Sequence, residues 1–219
     1  MKITLLHFTP IDGIVKATAM PYQSKESKGL VRRVFDSGHK SVVRHGMASF
    51  LIEGVSQSLL RQISRHPHIS LTVKSTRYCD FTDAGIHKPS KISRNKLSSD
   101  EYDKDMDAIM GIYAKWKSYE GDEKEVDVAK LFLPLASTTD LVLSGNYQAL
   151  YEFLQLRNCT RTEDEFRKLS LELTEMLNGI VPEIFGELGC KGDVYKICPE
   201  THGSCGKYPT KKELIIGEK

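Results

Sequence analysis

Residues 61–78 read RQISRHPHISLTVKSTRY, the densest run of polar chemistry in the chain. Four cations (Arg61, Arg65, Lys74, Arg77), two histidines (His66, His68) and the hydroxyls of Ser64, Ser70, Thr72, Ser75 and Thr76 precede Tyr78, with short apolar spacers between them. That mixture suits an anion. A guanidinium offers a planar fork of donors matched to phosphate, and neutral hydroxyls fill the remaining lone pairs. The same composition also describes a solvated basic turn between two elements. Pro67 stops the helix that precedes it, and Ser70–Tyr78 continues extended or as a loop; if strand-like, it carries Ser75 and Arg77 on one side.

Working outward, the apolar spacing predicts strands and helices in alternation. Ser56–His66 reads as a helix capped by Ser56, with Leu59, Leu60 and Ile63 inward and Gln62 and Arg65 sharing a face near its end. Before it, Lys2–His7 alternates as an edge or first strand. Ser27–Ser37 presents Leu30, Val31, Val34 and Phe35 on one helical face before Gly38, and Ala48–Gly54 reads as a strand. After it, Asp80–Lys96 is a Gly, Pro, Ser and Lys-rich loop. Ser99–Tyr119 is a long helix whose Met106, Ile109, Met110, Tyr113 and Trp116 make a core-facing stripe, with no cofactor role assigned to it. Glu123–Phe132 is a further helix, ended by Pro134.

At 219 residues the chain is long enough for one domain with a sizeable core, or one domain with a small appendage. Its 40% apolar and 27% charged residues are those of an ordinary globular protein, and a net charge of +2 gives no case for a nucleic-acid polymer or a membrane surface. Charge is uneven locally. Residues 56–96 carry eight Lys/Arg against two Asp, whereas residues 98–128 carry ten Asp/Glu against four Lys. The opening MKITLLHFTP is a poor signal peptide, and no apolar run approaches the roughly 20 residues of a membrane span, so a cytoplasmic location is expected. Five cysteines are an odd number and do not read as a secreted disulfide framework.

The spacing of the central stretch carries a resemblance. Arg65-His66, Ser70, Ser75 and Arg77-Tyr78 follow, without a gap, the pattern Arg-His-Arg-x-x-Ser-x-Asn-x-x-Ser-x-Arg-Tyr, the signature of the flavin-dependent thymidylate synthases, and Gln62 falls three residues before it as in that family. Upstream, His39-Lys40-Ser41-Val42-Val43-Arg44-His45 is similar to the family's His-x-Ser-x-x-Glu-His. Downstream, Leu133-Pro134, Leu156-Arg157 and Glu165-Phe166-Arg167 fill further family positions. The matched segments lie between Lys2 and Leu169 and together cover about two thirds of the chain. Departures cluster in the motifs: Pro67 replaces an arginine, Thr72 an asparagine, Arg44 a glutamate and Thr162-Glu163 an Ala-Gln pair. Asp140 falls where several members have a nucleotide-contacting arginine.

The resemblance implies an α+β fold, an antiparallel sheet flanked by helices, assembled as a homotetramer with sites shared between subunits. It implies conversion of dUMP to dTMP with FAD, methylenetetrahydrofolate and NADPH. No protein nucleophile is needed; a fixed guanidinium against the uracil carbonyl and N3 raises electron density at carbon 5. Carried over residue by residue, Arg167 polarises the uracil, although on its helix alone it would read as a surface arginine paired with Glu163 or Glu165. Gln62, Arg65, Lys74, Ser75, Thr76 and Arg77 hold the nucleotide. Ser41, Arg65, His66, Arg157 and Arg161 contact the flavin. A carboxylate within about 4 Å of a phosphate is repulsive by at least ~1 kcal/mol, so Asp140 leaves two alternatives beside thymidylate synthesis. One is a related flavoenzyme acting on another pyrimidine nucleotide; the other is a non-catalytic nucleotide-binding homologue.

The tail after Gly189 differs in character, dividing the chain into residues 1–189 and a cysteine-containing tail, 190–219. Cys190, Cys198, His202 and Cys205 have the ligand types of a Cys3His zinc site, but the eight-residue step from Cys190 is not a usual finger spacing. Reduced cysteines in a C-terminal turn are the preferred reading, with no metal expected.

Overall fold

The computed structural model describes residues 1–121 and 126–216. Four strands, β1 (Lys2–Phe8), β2 (Met47–Ser56), β3 (Ile69–Val73) and β4 (Thr138–Asn146), form one sheet among these residues in the order β1-β2-β4-β3. Neighbours run antiparallel. Thr9 bonds to Met47 at one end of the β1/β2 pair while Lys2 faces Glu53 at the other, and Ser144 meets Ser49 while Ser137 meets Gln57 across β4 and β2. An antiparallel sheet with the helices α1 (Ile11–Ala19), α2 (Lys28–Asp36), α3 (Gln57–Ile63), α4 (Ser90–Ser93), α5 (Lys96–Glu120), α6 (Tyr147–Arg157), α7 (Asp164–Ile180), α8 (Pro182–Phe185), α9 (Lys191–Tyr195) and α10 (Lys211–Ile216) is the α+β class expected. β1 lies at an edge, as its sequence suggested.

β4 alternates buried and half-buried residues along its whole length, the period of a strand with one covered face. β2 buries Ala48, Phe50 and Ile52, then slips one residue and buries Val55. The slip falls at Gly54, whose φ of +72° lies in the left-handed region, and an extra residue there re-aims the strand as a bulge does. The Gly54 N–H donates to the Asp140 carboxylate at 2.9 Å, so this side chain satisfies the donor the bulge exposes.

Contacts divide the chain into two units: Met1–Thr4, Leu51–Arg65 and Leu71–Leu143 in the first, Leu5–Phe50, His66–Ser70 and Ser144–Lys219 in the second. In the first, Phe81, Tyr113, Val126 and Ala129 form a buried cluster on which Met110, Trp116 and Phe132 pack. Tyr113 is the fully buried member of the stripe on α5; its hydroxyl accepts from the Phe81 N–H at 3.0 Å, which lets the phenol enter the core. In the second, Phe35, Tyr147, Tyr151 and Phe185 pack edge-on or tilted, with ring centroids 4.8–6.2 Å apart.

Several boundaries differ from the sequence reading. α3 is capped by Ser56 as expected but ends at Ile63, three residues early, because Ser64 and Arg65 already turn before Pro67. α5 begins at Lys96, since the Asn95 side chain accepts from the Leu97 N–H and caps it ahead of Ser99. The helix expected over Glu123–Phe132 is a short 3-10 turn at Ala129–Phe132, with Glu123–Glu125 outside the described residues. Its entry is fixed by Glu120, whose carboxylate accepts from the Asp127, Val128 and Ala129 N–H groups. Ser75 and Arg77 lie in a turn after β3 and not along it, so strand alternation does not relate them.

Candidate functional site

In the second unit, Arg157 ends α6 and its Nε donates to His66 Nε2 at 2.9 Å. His66 meets Phe153 edge-on at 4.7 Å and Phe166 at 6.0 Å, and the Arg157 guanidinium lies over the Phe166 ring at 4.5 Å. The arrangement follows from two helical repeats. Phe153 and Arg157 are four apart on α6, and α7 buries Phe166, Leu169, Ser170, Leu173 and Leu177 along one face. Burial, then the neighbouring Arg157 charge, pushes the His66 pKa down to about 4, so its imidazole is neutral near pH 7 and accepts through Nε2. Burial also lowers the pKa of Arg157 from the ordinary arginine value. Among the described residues no carboxylate pairs with this half-buried guanidinium, which leaves it suited to an anionic or carbonyl-bearing ligand.

Arg167 follows Phe166 on α7 and its Nε reaches the Asn158 carbonyl at 3.4 Å. Asn158 is itself held: its amide nitrogen donates to Thr174 at 3.0 Å and its side-chain oxygen accepts from Ser170 at 2.7 Å. Asp164 and Glu165 occupy the first turn of α7, where carboxylates suit the helix dipole. Arg161, in the loop between the helices, ion-pairs with Glu200 of the tail. Ser41 is exposed in a 3-10 turn, Lys40–His45, anchored to α6 by an Arg44–Gln148 hydrogen bond of 2.6 Å and by Tyr147, whose N–H donates to the Gly46 carbonyl. A Cβ on Gly46 would stand 2.2 Å from the Tyr147 ring, so this approach requires glycine.

The first unit holds Gln62, Arg65, Lys74, Ser75, Thr76 and Arg77. The Arg77 N–H donates to Ser75 Oγ at 3.2 Å, and the Arg77 Nε lies 3.5 Å from the Asp127 carboxylate. The acidic block thus supplies a partner for the signature arginine. Lys74 places its ammonium over the Phe81 ring at 4.6 Å, and its N–H donates to the Asp140 carbonyl.

Sequence reasoning missed the aromatic seat of Arg157, although Phe153 four residues upstream was a visible signal. It also missed the Asn158–Ser170–Thr174 latch and the Asp140–Gly54 bond, which join residues distant in sequence. Among the described residues no group of three His, Cys, Asp or Glu side chains is placed to hold a metal ion, so Cys190, Cys198, His202 and Cys205 do not converge as ligands. No helix among them is long and apolar enough to cross a membrane.

The family model of the thymidylate synthase complementing protein matches residues 4–183. A flavin-dependent thymidylate synthase of Nitratidesulfovibrio vulgaris is 29% identical over 87% of this chain and 80% of the relative, and that of Geobacter sulfurreducens is 28% identical over 98% of each. The solved structure of a Helicobacter pylori flavin-dependent thymidylate synthase, complexed with FAD and dUMP, aligns with a TM-score of 0.72 and 25% identity over 86% of this chain and 100% of that one. With the signature stretch, the antiparallel sheet and this match in agreement, the chain belongs to the flavin-dependent thymidylate synthase family.

Proposed function

We propose that the protein methylates dUMP to dTMP, using methylenetetrahydrofolate as carbon donor and NADPH as reductant, in the cytoplasm and as a homotetramer with sites shared between subunits. Residues 1–189 are the catalytic part and residues 190–219 an appended tail. The match over residues 4–183 carries this reading. The donor set fits FAD: Arg157 is a half-buried guanidinium without a carboxylate partner among the described residues, on aromatic walls, beside a neutral imidazole. Arg157, His66, Ser41, Arg65 and Arg161 would hold it, and when bound it would supply the reducing electrons the one-carbon unit needs.

The chain's own residues bind, orient and polarise. Arg167, positioned by the Asn158 carbonyl, stabilises the anionic form of the uracil through its carbonyl and N3, which raises electron density at carbon 5 for attack on the one-carbon unit. Arg77, Ser75, Thr76 and Lys74 take the phosphate, with Gln62 and Arg65 alongside. The Arg77–Asp127 pair is exposed and worth only about 0–1 kcal/mol, so an incoming phosphate displaces the carboxylate at little cost. Asp140 is engaged with the Gly54 N–H, which accounts for a carboxylate at the arginine position without assigning it to the nucleotide.

The test is turnover by protein loaded with FAD and given methylenetetrahydrofolate and NADPH, with dUMP, UMP or dCMP. Product dTMP from dUMP alone is expected. Methylation of UMP or dCMP in preference would assign a related flavoenzyme. A colourless protein that takes up no FAD would make it a non-catalytic homologue.

A further inference from the structure

Four of the five cysteines, Cys159, Cys190, Cys198 and Cys205, line one cavity of about 100 Å3 in the second unit, and Arg167 lines it too. All are reduced and none belongs to a metal-ligating group among the described residues. The cavity wall opposite the 158–161 loop and Arg167 of α7 is the tail, which lies beyond the residues the family model matches. Two contacts fasten it there. Glu200 ion-pairs with Arg161, and Cys205 shares a hydrogen bond with the hydroxyl of Thr160, the residue next to Cys159. The tail has its own internal brace, with Asp193 accepting from Lys207 at 2.5 Å and from the Tyr208 hydroxyl at 3.2 Å. Cys205 is exposed and lies between Gly203 and Gly206, both at positive φ, a backbone conformation that glycine adopts without strain.

We propose that Cys205 and Cys159 are a thiol modification site for low-molecular-weight disulfides, and that their oxidation fastens the tail across the cavity holding Arg167. The Cys205 thiolate attacks one sulfur of the small disulfide, forming a mixed disulfide and expelling one thiolate, which takes up a proton. Cys159, losing its proton to water, then attacks the Cys205 sulfur. The Cys159–Cys205 bond forms and a second small thiolate leaves, so two protein thiols are oxidised as one disulfide is reduced to two thiols. Hydrogen bonds from the Lys207 N–H and the Thr160 hydroxyl hold the Cys205 thiol below its usual range, which favours it as the attacking group. With Cys190 the reverse holds, since burial raises its thiol.

The consequence for turnover rests on the role proposed for Arg167; the chemistry of the cysteines does not. Full-length protein is treated with glutathione disulfide and followed by peptide mass mapping, by amide hydrogen exchange over residues 199–208, and by dUMP turnover. A 159–205 linkage, slower exchange in the tail, and a loss of turnover of at least about tenfold that dithiothreitol restores are expected. Cys205→Ser and Cys159→Ser should each block the linkage and keep the activity of the reduced protein, while Cys190→Ser should change neither. No linkage, or a linkage through Cys190 or Cys198, overturns the site. A mapped 159–205 linkage with undiminished turnover or unchanged tail exchange overturns the closure. Protein that forms the linkage on oxidation yet never turns over dUMP in its reduced state refutes the thymidylate reading and leaves the cysteine chemistry standing.

Discussion

Arg77 and Arg157 present the same functional group in opposite settings. Arg77 stands exposed in a turn beside the carboxylate of Asp127, whereas Arg157 is half-buried against Phe166 and His66 with no carboxylate partner among the described residues. Solvent, and an exposed counter-charge that Asp127 shares with Lys130, make the first easy to redirect toward a phosphate. The second has already lost part of its hydration and is fixed by aromatic contacts, so its free donors favour a ligand that stays bound. On the proposed roles, Arg77 for a transient substrate and Arg157 for a resident cofactor, one residue type meets both needs through this difference.

Removing Arg157 is the strongest way to break the comparison. Arg157→Ala should weaken FAD binding about 10–100-fold, the loss of about 1.5–3 kcal/mol expected for charged hydrogen bonds, as read by flavin fluorescence titration. Unchanged affinity would reduce Arg157 to a packing residue. Asp140→Ala should destabilise the protein by about 1–3 kcal/mol in urea unfolding, because the Gly54 N–H loses its acceptor, while KM for dUMP holds. A markedly altered KM would return Asp140 to the nucleotide.

Arg77→Ala should raise KM for dUMP about tenfold with kcat little changed, since the group binds ground and transition states alike. A fall in kcat at constant KM would mean that the exposed arginine acts in the chemical step. The smallest effect concerns pH. The His66 pKa is about 4 in the folded protein and ordinarily 6.5, so between these values the unfolded chain binds more protons and stability falls as pH drops from 6.5 toward 4. At pH 5 the loss should be about 1 kcal/mol for this half-exposed ring, and His66→Gln should flatten that part of the stability profile.

The two regions were unequally legible. The basic turn is a contiguous motif, so its residues could be proposed by matching the family's signature. The seat of Arg157 joins residues 66, 153, 157 and 166, and only folding brings α6, α7 and the signature histidine together. Strand and helix identities followed from periodicity in β2, α2 and α3, where one face is buried. They failed at ends, where single hydrogen bonds decide: Asn95 moved the start of α5, and Glu120 replaced a helix with a turn. Asp140 was readable as a departure but not as a partner of Gly54, because a bulge leaves no mark that distinguishes its glycine from any other.

The central claim is that a guanidinium draws the bound uracil toward its anionic form. Nuclear magnetic resonance of dUMP labelled at N3 and carbon 5, titrated against pH in the FAD-loaded protein, measures this directly. The account predicts that N3 of bound dUMP ionises at least about one pH unit below free dUMP and that Arg167→Ala abolishes the shift while dUMP still binds. An N3 that ionises as in free solution, or a shift that survives Arg167→Ala, would contradict it.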